Sequence, residues 1–176
     1  TPVTVTAKAA NAIRCSAHQK VEWDKKILAV VSPEIDSIVG ADILALGYIK
    51  NKDEKFEFTA DARLIAKLEK YFEVSFLDEI NFFDASGKAG ELFEIPVAHE
   101  DAEVDRIYLI GVGDNSLTSL RTAGAALGKK VRGKALSLVS LCAQSAAEIK
   151  AHGVSLTLGA YQWSLKTGKT PEIPQF

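Results

Sequence analysis

The segment nearest to a cofactor-binding motif is Gly111-Val112-Gly113-Asp114-Asn115-Ser116. It begins like the dinucleotide fingerprint Gly-x-Gly-x-x-Gly, whose glycines let a backbone turn approach a pyrophosphate. Ser116 stands where the third glycine would be. Two glycines can also serve the geometry of a turn from a strand into a helix. The turn alone accounts for both glycines, so no cofactor-binding residue is predicted.

The histidines and serines form no recognisable catalytic or metal-binding pattern. Glu148 and His152 lie four residues apart, but a metal site needs three or four converging ligands, so a surface ion pair is expected for them. His18 and His99 have no second ligand at short spacing. Three serines lack the Gly-x-Ser-x-Gly elbow of a hydrolase: Ser137, Ser140 and Ser145. No catalytic and no metal-binding residue is therefore predicted.

A strand, a turn and a helix must position the Gly-x-Gly segment. Ile107–Ile110 is an uninterrupted apolar run, typical of a strand covered on both faces. The turn offers three candidate N-cap residues: Asp114, Asn115 and Ser116. An apolar stripe follows at helical spacing: Leu117, Leu120, Gly124, Leu127 and Val131. Gly133 suits the C′ position, and the apolar run Ala135–Leu141 predicts the next strand.

The predicted helix has a surface almost without side chains, made of Ala123–Ala126 and Gly128. A glycine inside a helix costs roughly 1 kcal/mol relative to alanine. Close approach to another element would offset that cost. We therefore expect Gly124 to touch a backbone or a core side chain.

Periodicity also predicts the remaining elements. The predicted strands are Val3–Thr6, Ala12–Ser16, Ile27–Val31, Ile43–Ile49, Phe56–Phe58 and Glu91–Val97. A helix is predicted over Ala60–Phe72, capped by Thr59 or Asp61, while Val74–Leu77 and Ile80–Phe83 stay unassigned. Val154–Leu158 alternates like a strand, yet length favours a helix over Gln144–Leu165. The order of elements predicts an α/β fold with a mixed, largely parallel sheet flanked by helices.

Composition indicates one globular domain and excludes several classes of function. Among the 176 residues, 47% are hydrophobic and 25% charged, and the net charge is −2. Without a basic stripe a nucleic-acid partner is not expected, and without an apolar run of about 20 residues neither is a membrane span. The N-terminus lacks the pattern of a signal peptide. Cys15 and Cys142 are expected to be reduced and buried, as in a cytoplasmic protein.

Three segments resemble the leucyl aminopeptidase family, peptidase family M17. The first joins Ile107–Gly113 with Leu120–Ala126 and is similar to the family's strand, Gly-x-Gly and Arg-x-Ala-Gly-x-Ala pattern. The second, Leu158–Trp163, resembles the Leu-Gly-x-Tyr-x-Phe segment that closes the family's N-terminal domain, with Trp163 in place of phenylalanine. The third, Gly87–Glu91, resembles the family's Gly-Lys-x-Gly turn.

This resemblance implies a macro-like N-terminal domain over residues 1–168, with 169–176 as the start of a linker to a C-terminal catalytic domain. The parent would be a hexameric, cytoplasmic metallo-exopeptidase with a pair of divalent ions, zinc or manganese, in that second domain. The family's catalytic motif Asn-Thr-Asp-Ala-Glu-Gly-Arg does not occur in the chain, so no family site residue can be carried over. The alternative is a macro-type module that binds ADP-ribose or a related nucleotide. Against that alternative, Gly40–Gly47 lacks the Asn-Ala-Ala-Asn loop of binding macro domains.

Overall fold

The computed structural model describes residues 12–16, 27–31, 34–133 and 137–161, the first two ranges as backbone alone. Its elements are β1 (Ala12–Ser16), β2 (Ile27–Val31), α1 (Ile35–Val39), β3 (Ile43–Lys50), β4 (Phe56–Phe58), α2 (Ala62–Phe72), α3 (Phe76–Phe82), β5 (Leu92–Pro96), β6 (Arg106–Gly111), α4 (Leu117–Val131), β7 (Leu138–Ser140) and α5 (Ala146–Ala160). The predicted strand Val3–Thr6 lies outside the described residues.

The described strands form one sheet in the order β2-β1-β7-β3-β6-β5, with β4 also paired with β3. Strand β3 lies at its centre and is parallel to both β6 and β7. The other pairings are antiparallel: β1 with β2, β1 with β7, β3 with β4, and β5 with β6. The predicted α/β fold with a mixed sheet between helices is confirmed.

The prediction that this sheet is largely parallel is wrong. Parallel neighbours need a long crossover connection, whereas antiparallel neighbours can be joined by a short one. Strand β4 follows β3 after only five residues, 51–55, and residues 97–105 join β5 to β6. Such short connections return the chain beside the strand it has just left. The connections that lead from β3 to β6 and from β6 to β7, which are the mutually parallel strands, contain helices.

The sheet is covered on both faces, because successive side chains of a strand point to opposite sides. On β3, Leu44, Leu46 and Tyr48 join the core formed with α1, α2 and α3. Ile43 and Ala45 join the second core, formed with α4 and α5. Strand β6 alternates in the same way and is buried along most of its length, as its apolar run predicts. The result is a three-layer α/β/α arrangement.

The first two helices after β3 begin at side-chain caps. Asp61 caps α2, since its Oδ1 accepts hydrogen bonds from the amides of Arg63 at 2.9 Å and Leu64 at 3.3 Å. Of the two predicted caps, Asp61 is therefore the correct one. The unassigned apolar pieces Val74–Leu77 and Ile80–Phe83 contribute to α3, which begins at the N-cap Ser75. That cap interrupts the apolar pattern, so neither piece alone shows helical spacing.

Helix α5 settles the ambiguous C-terminal segment. Residues 146–160 form a helix rather than a strand. It begins at a capping box, in which Ser145 and Glu148 each bond the other's backbone amide. Of the predicted extension to Leu165, residues 162–165 lie outside the described range. No helix in the described part of the chain is both long and apolar enough to cross a membrane.

Candidate functional site

The Gly-x-Gly segment lies where β6 ends and α4 begins, at the carboxyl edge of the parallel strands. The amide of Gly111 donates to the carbonyl of Glu91 at 2.7 Å, and the carbonyl of Gly111 accepts from Gly90 at 2.9 Å. The amide of Gly113 donates to the carbonyl of Gly87 at 3.2 Å. These bonds hold the segment Gly87–Glu91, which we call the 87–91 turn, directly against the motif.

The glycines of this motif make room for that turn. A Cβ on Gly111 would overlap the carbonyl oxygen of Lys88. Gly113 has a φ of +59°, which a side chain would strain, and a Cβ there would lie 3.3 Å from Ala89. In a dinucleotide site this freedom lets the backbone approach a pyrophosphate. Here the chain's own backbone fills the space beside Gly111.

A carboxylate lies at the N-terminus of α4. Asp114 Oδ1 accepts hydrogen bonds from Ser119 Oγ at 2.6 Å and from the Ser116 amide at 3.0 Å. The Ser119 and Ser116 hydrogen bonds lower the pKa of Asp114 to about 2. Ser116 is the N-cap residue itself and accepts from the Ser119 amide. A negative charge already stabilises this helix end, and it would repel a phosphate there.

Glu91 anchors the 87–91 turn. Its carboxylate accepts hydrogen bonds from Tyr48 Oη at 2.7 Å, from the Gly87 amide at 2.9 Å, and from the amide and hydroxyl of Ser86, each at 3.0 Å. Partial burial opposes ionisation of Glu91, but the hydrogen bonds from Tyr48, Ser86 and Gly87 outweigh it and lower its pKa. Burial and the bond to Glu91 raise the pKa of Tyr48. Glu91 is therefore a charged structural acceptor.

A buried serine–histidine pair joins three elements. His152 of α5 lies 2.8 Å from Ser140 Oγ of β7 through Nε2, and 3.1 Å from the carbonyl oxygen of Leu120 of α4 through Nδ1. A carbonyl only accepts, so Nδ1 carries the proton, Nε2 has the lone pair, and Ser140 donates to it. Both side chains are fully shielded from solvent.

The predicted surface ion pair between His152 and Glu148 is therefore wrong. Glu148 Oε2 instead accepts from the amides of Gln144 and Ser145 at the start of α5. Helical spacing offered a signal, because His152 comes three residues after Ile149 and four before Leu156, and so shares a helix face with both. A histidine on the buried face of a helix needs hydrogen-bond partners, and the sequence does not show which elements supply them.

The serine–histidine pair has the hydrogen-bond direction of a catalytic dyad without access for a substrate. Burial lowers the pKa of His152 to about 4, so its imidazole is neutral at pH 7. Burial likewise raises the pKa of the Cys142 thiol to about 12, opposed by a hydrogen bond with Ser140. Cys142 is reduced and buried, as predicted, whereas the side chain of Cys15 is not among those described. In this geometry the pair holds the fold together.

The other candidate residues also have structural partners. Ser137 donates through its amide and hydroxyl to Asp42, at 2.6 and 2.8 Å. The ring of His99 stacks on Tyr71 with centroids 4.4 Å apart, and its Nδ1 accepts from the Asp101 amide. His18 lies outside the described residues. Over 34–133 and 137–161, no three side chains among histidine, cysteine, aspartate and glutamate cluster to hold a metal ion.

A scan of the sequence against protein-family models finds no match, and a search of curated proteins finds no relative. The residues themselves therefore carry any functional assignment.

Helices α4 and α5 pack through their backbones, as the small residues of α4 predict. A Cβ on Gly124 would overlap the carbonyl oxygen of His152 and lie 3.1 Å from the Leu156 amide nitrogen. One on Gly128 would lie 2.7 Å from the Ala160 amide nitrogen. From the opposite side, one on Gly159 would lie 2.7 Å from the carbonyl oxygen of Ala125. The expected backbone contact of Gly124 is confirmed.

Proposed function

We propose that this chain is the non-catalytic N-terminal domain of a leucyl-aminopeptidase-like metallo-exopeptidase of the cytoplasm. In this proposal the parent removes N-terminal residues from peptides with a pair of zinc or manganese ions bound in a separate C-terminal domain. The domain described here contributes to hexamer assembly and shapes access to the active sites.

The observation that carries the proposal is that the second and third family-like segments each pack against the first. The 87–91 turn contacts both parts of the first segment, since a Cβ on Gly90 would lie 3.3 Å from Thr122 Cγ2 and one on Gly111 would meet Lys88. The same helix receives Gly159 of the second segment against Ala125. Motifs that recur together for a structural reason should meet in space in this way. Their contacts support a shared scaffold rather than three chance likenesses.

The hydrogen bonds of three polar side chains also support a scaffold role. Three groups with reactive chemistry already have internal partners: Glu91 holds the 87–91 turn, Asp114 accepts hydrogen bonds from Ser116 and Ser119 at the start of α4, and His152 joins α4 to β7. None of these groups is left to bind or activate a substrate. In the proposed parent, the reacting groups would come from the other domain.

The most direct test is the reading frame that encodes this chain. We expect the codons after Phe176 to continue into a domain that contains Asn-Thr-Asp-Ala-Glu-Gly-Arg. A stop codon there, or an unrelated domain, would overturn the proposal without any protein chemistry.

A second test measures activity. We expect the purified 176-residue chain to hydrolyse no leucine amide or leucyl peptide, with or without added manganese or zinc, because bridged divalent ions supply the activated water in this chemistry. The full-length product is the positive control and should turn over the same substrates. Metal-dependent turnover that persists in the short chain after removal of contaminating peptidases would contradict the assignment of the chemistry to the second domain.

A further inference from the structure

The imidazole of His152 connects the two helices that cover one face of the sheet to the sheet itself. Nδ1 donates to the carbonyl of Leu120 in α4, and Nε2 accepts from Ser140 in β7. At Gly124, Gly128 and Gly159 the two helices meet backbone against backbone, and beside these positions their apolar side chains share one core. The His152 side chain is thus a polar link between α5, α4 and β7.

Protonation would disturb this link in two ways. An imidazolium donates from both nitrogens, so Ser140 would have to turn its hydroxyl from donor to acceptor. The new positive charge would also be buried, with no counter-charge among the described side chains, and an unpaired buried charge is costly. The link is therefore compatible with the neutral ring and poorly compatible with the charged one.

Among the side chains that the structure describes, over 34–133 and 137–161, none around His152 offers that counter-charge. Helix α4 contributes the carbonyl of Leu120 and Gly124, and the side chain of Arg121 beside Leu120 is exposed. From β7 and the residues after it come Ser140 and the neutral thiol of Cys142.

On α5 itself, the carboxylate of Glu148 accepts hydrogen bonds from the N-terminal amides of the helix, and Lys150 is exposed. Burial and the bond to Leu120 are the two influences on the pKa of His152, and burial dominates.

We propose that His152 is an acid-sensitive lock, which holds α4 and α5 on the sheet while its ring is neutral and releases them when the ring takes up a proton. The direction follows from linkage. The pKa of His152 is about 4 in the closed fold and near 6.5 once the ring meets water, so protons bind the open form more tightly. Stability from the lock is complete above about pH 6.5 and is lost as the pH falls towards 4.

Cys142 provides a local probe of this release. The thiol is fully buried beside Ser140, so a thiol reagent reaches it only when the layer opens. A Cys15→Ser background leaves Cys142 as the single thiol of the chain. 4,4′-Dithiodipyridine labels thiols at acidic as well as neutral pH. Each labelling rate of Cys142 is divided by the rate of a small model thiol at the same pH, which removes the pH dependence of the thiol reaction itself.

As the pH falls from 7 to 5, we expect the normalised rate of Cys142 labelling to rise about 20-fold. This factor follows from the two pKa values of His152 for the uptake of one proton, provided that the layer closes again faster than the thiol is labelled. His152→Gln should reduce this rise to less than about 2-fold, because glutamine takes up no proton. His99→Gln, the matched exchange at another histidine, should leave the rise intact. An equal rise of the labelling rate in the His152→Gln variant, or no rise in the Cys15→Ser chain that keeps His152, would overturn the proposal.

Nitrogen NMR of the unsubstituted, histidine-labelled chain tests the same idea without a core substitution. We expect the ring of His152 to be neutral with the proton on Nδ1, at pH 7 and, in the folded population, still at pH 5. A folded imidazolium at pH 5, or a proton on Nε2 at pH 7, would contradict the proposed lock even if His152→Gln does not fold.

Discussion

Small residues in α4 show how a single position can set the distance between two elements. Gly124 has no room for a methyl group, because the nearest atom is a backbone carbonyl oxygen of α5, which cannot rotate away as a side-chain tip could. The loss of helix propensity at glycine is real, but it is the smaller effect where packing is this close.

Gly124→Ala should therefore destabilise the fold. Helix propensity favours alanine by up to about 1 kcal/mol, whereas forcing the helices apart typically costs roughly 1–3 kcal/mol, and Gly124→Leu should cost more. Chemical denaturation of both variants beside the unsubstituted chain measures the difference. Gly40→Ala is a suitable control, because the nearest atom to a Cβ there is the carbonyl oxygen of Asp36 at 3.4 Å. If Gly124→Ala is more stable than the unsubstituted chain, this face of α4 has room for a methyl group and the close contact with α5 is wrong.

At the scale of elements, the 87–91 turn packs against β6 at Gly111. Residues far apart in the sequence hold it: Tyr48 of β3 donates to Glu91, and the Gly111 amide donates to the carbonyl of the same residue. Gly87 has a φ of +84° and would place a Cβ 2.8 Å from Cβ of Lys50. The turn is thus fitted to β3 and β6 together.

Glu91→Gln should loosen this turn and weaken the fold by about 1 kcal/mol at pH 7, since hydrogen bonds to a charge are stronger than neutral ones while partial exposure screens them. The pKa of Glu91 is lowered from 4.5 in the folded protein, so the charged carboxylate stabilises the fold above about pH 4.5. This stabilisation is lost as the pH falls through the pKa of the folded protein. The difference in the free energy of unfolding between the unsubstituted chain and Glu91→Gln should therefore become smaller in that acid range.

Denaturant midpoints from pH 7 down to pH 3 test this expectation. Glu57→Gln makes the same exchange at an exposed residue, whose carboxylate accepts from the Asn51 side chain, and should change stability by less than about 0.5 kcal/mol. If the stability difference between the unsubstituted chain and Glu91→Gln does not change with pH, the charge of Glu91 does not stabilise the fold.

At the scale of the whole molecule, the carboxyl edge of the parallel strands is filled from within. This edge is where open α/β sheets bind ligands. Here the 87–91 turn packs on the Gly-x-Gly segment, and Asp114 holds the N-terminus of α4. The alternative function, a macro-type module for ADP-ribose, would need this edge to accept a pyrophosphate.

We expect ADP-ribose and NAD to bind weakly or not at all, because a pyrophosphate would meet both the backbone of Lys88 and the charge of Asp114. Titration calorimetry at pH 7 is the measurement, with an ADP-ribose-binding macro domain as positive control. A dissociation constant in the low micromolar range for either ligand would move the nucleotide-binding alternative to first place.

Much of the local structure follows from the sequence alone. Apolar runs bounded by turn residues placed β3 and β6, and helical spacing with a cap residue placed α2 and α4. The glycines of α4 even indicated a close backbone contact before any partner was known. Such features depend on residues within one or two turns of each other, so spacing in the sequence is enough to show them.

Tertiary structure alone decided which distant strands pair and what role each polar side chain has. His152 and Glu148 look like an exposed pair on one helix, yet one is sealed against β7 and the other caps α5. The physical reason is that burial is a property of the assembled layers. The partners of His152 lie 12 and 32 residues away, and no local pattern records which elements will meet there.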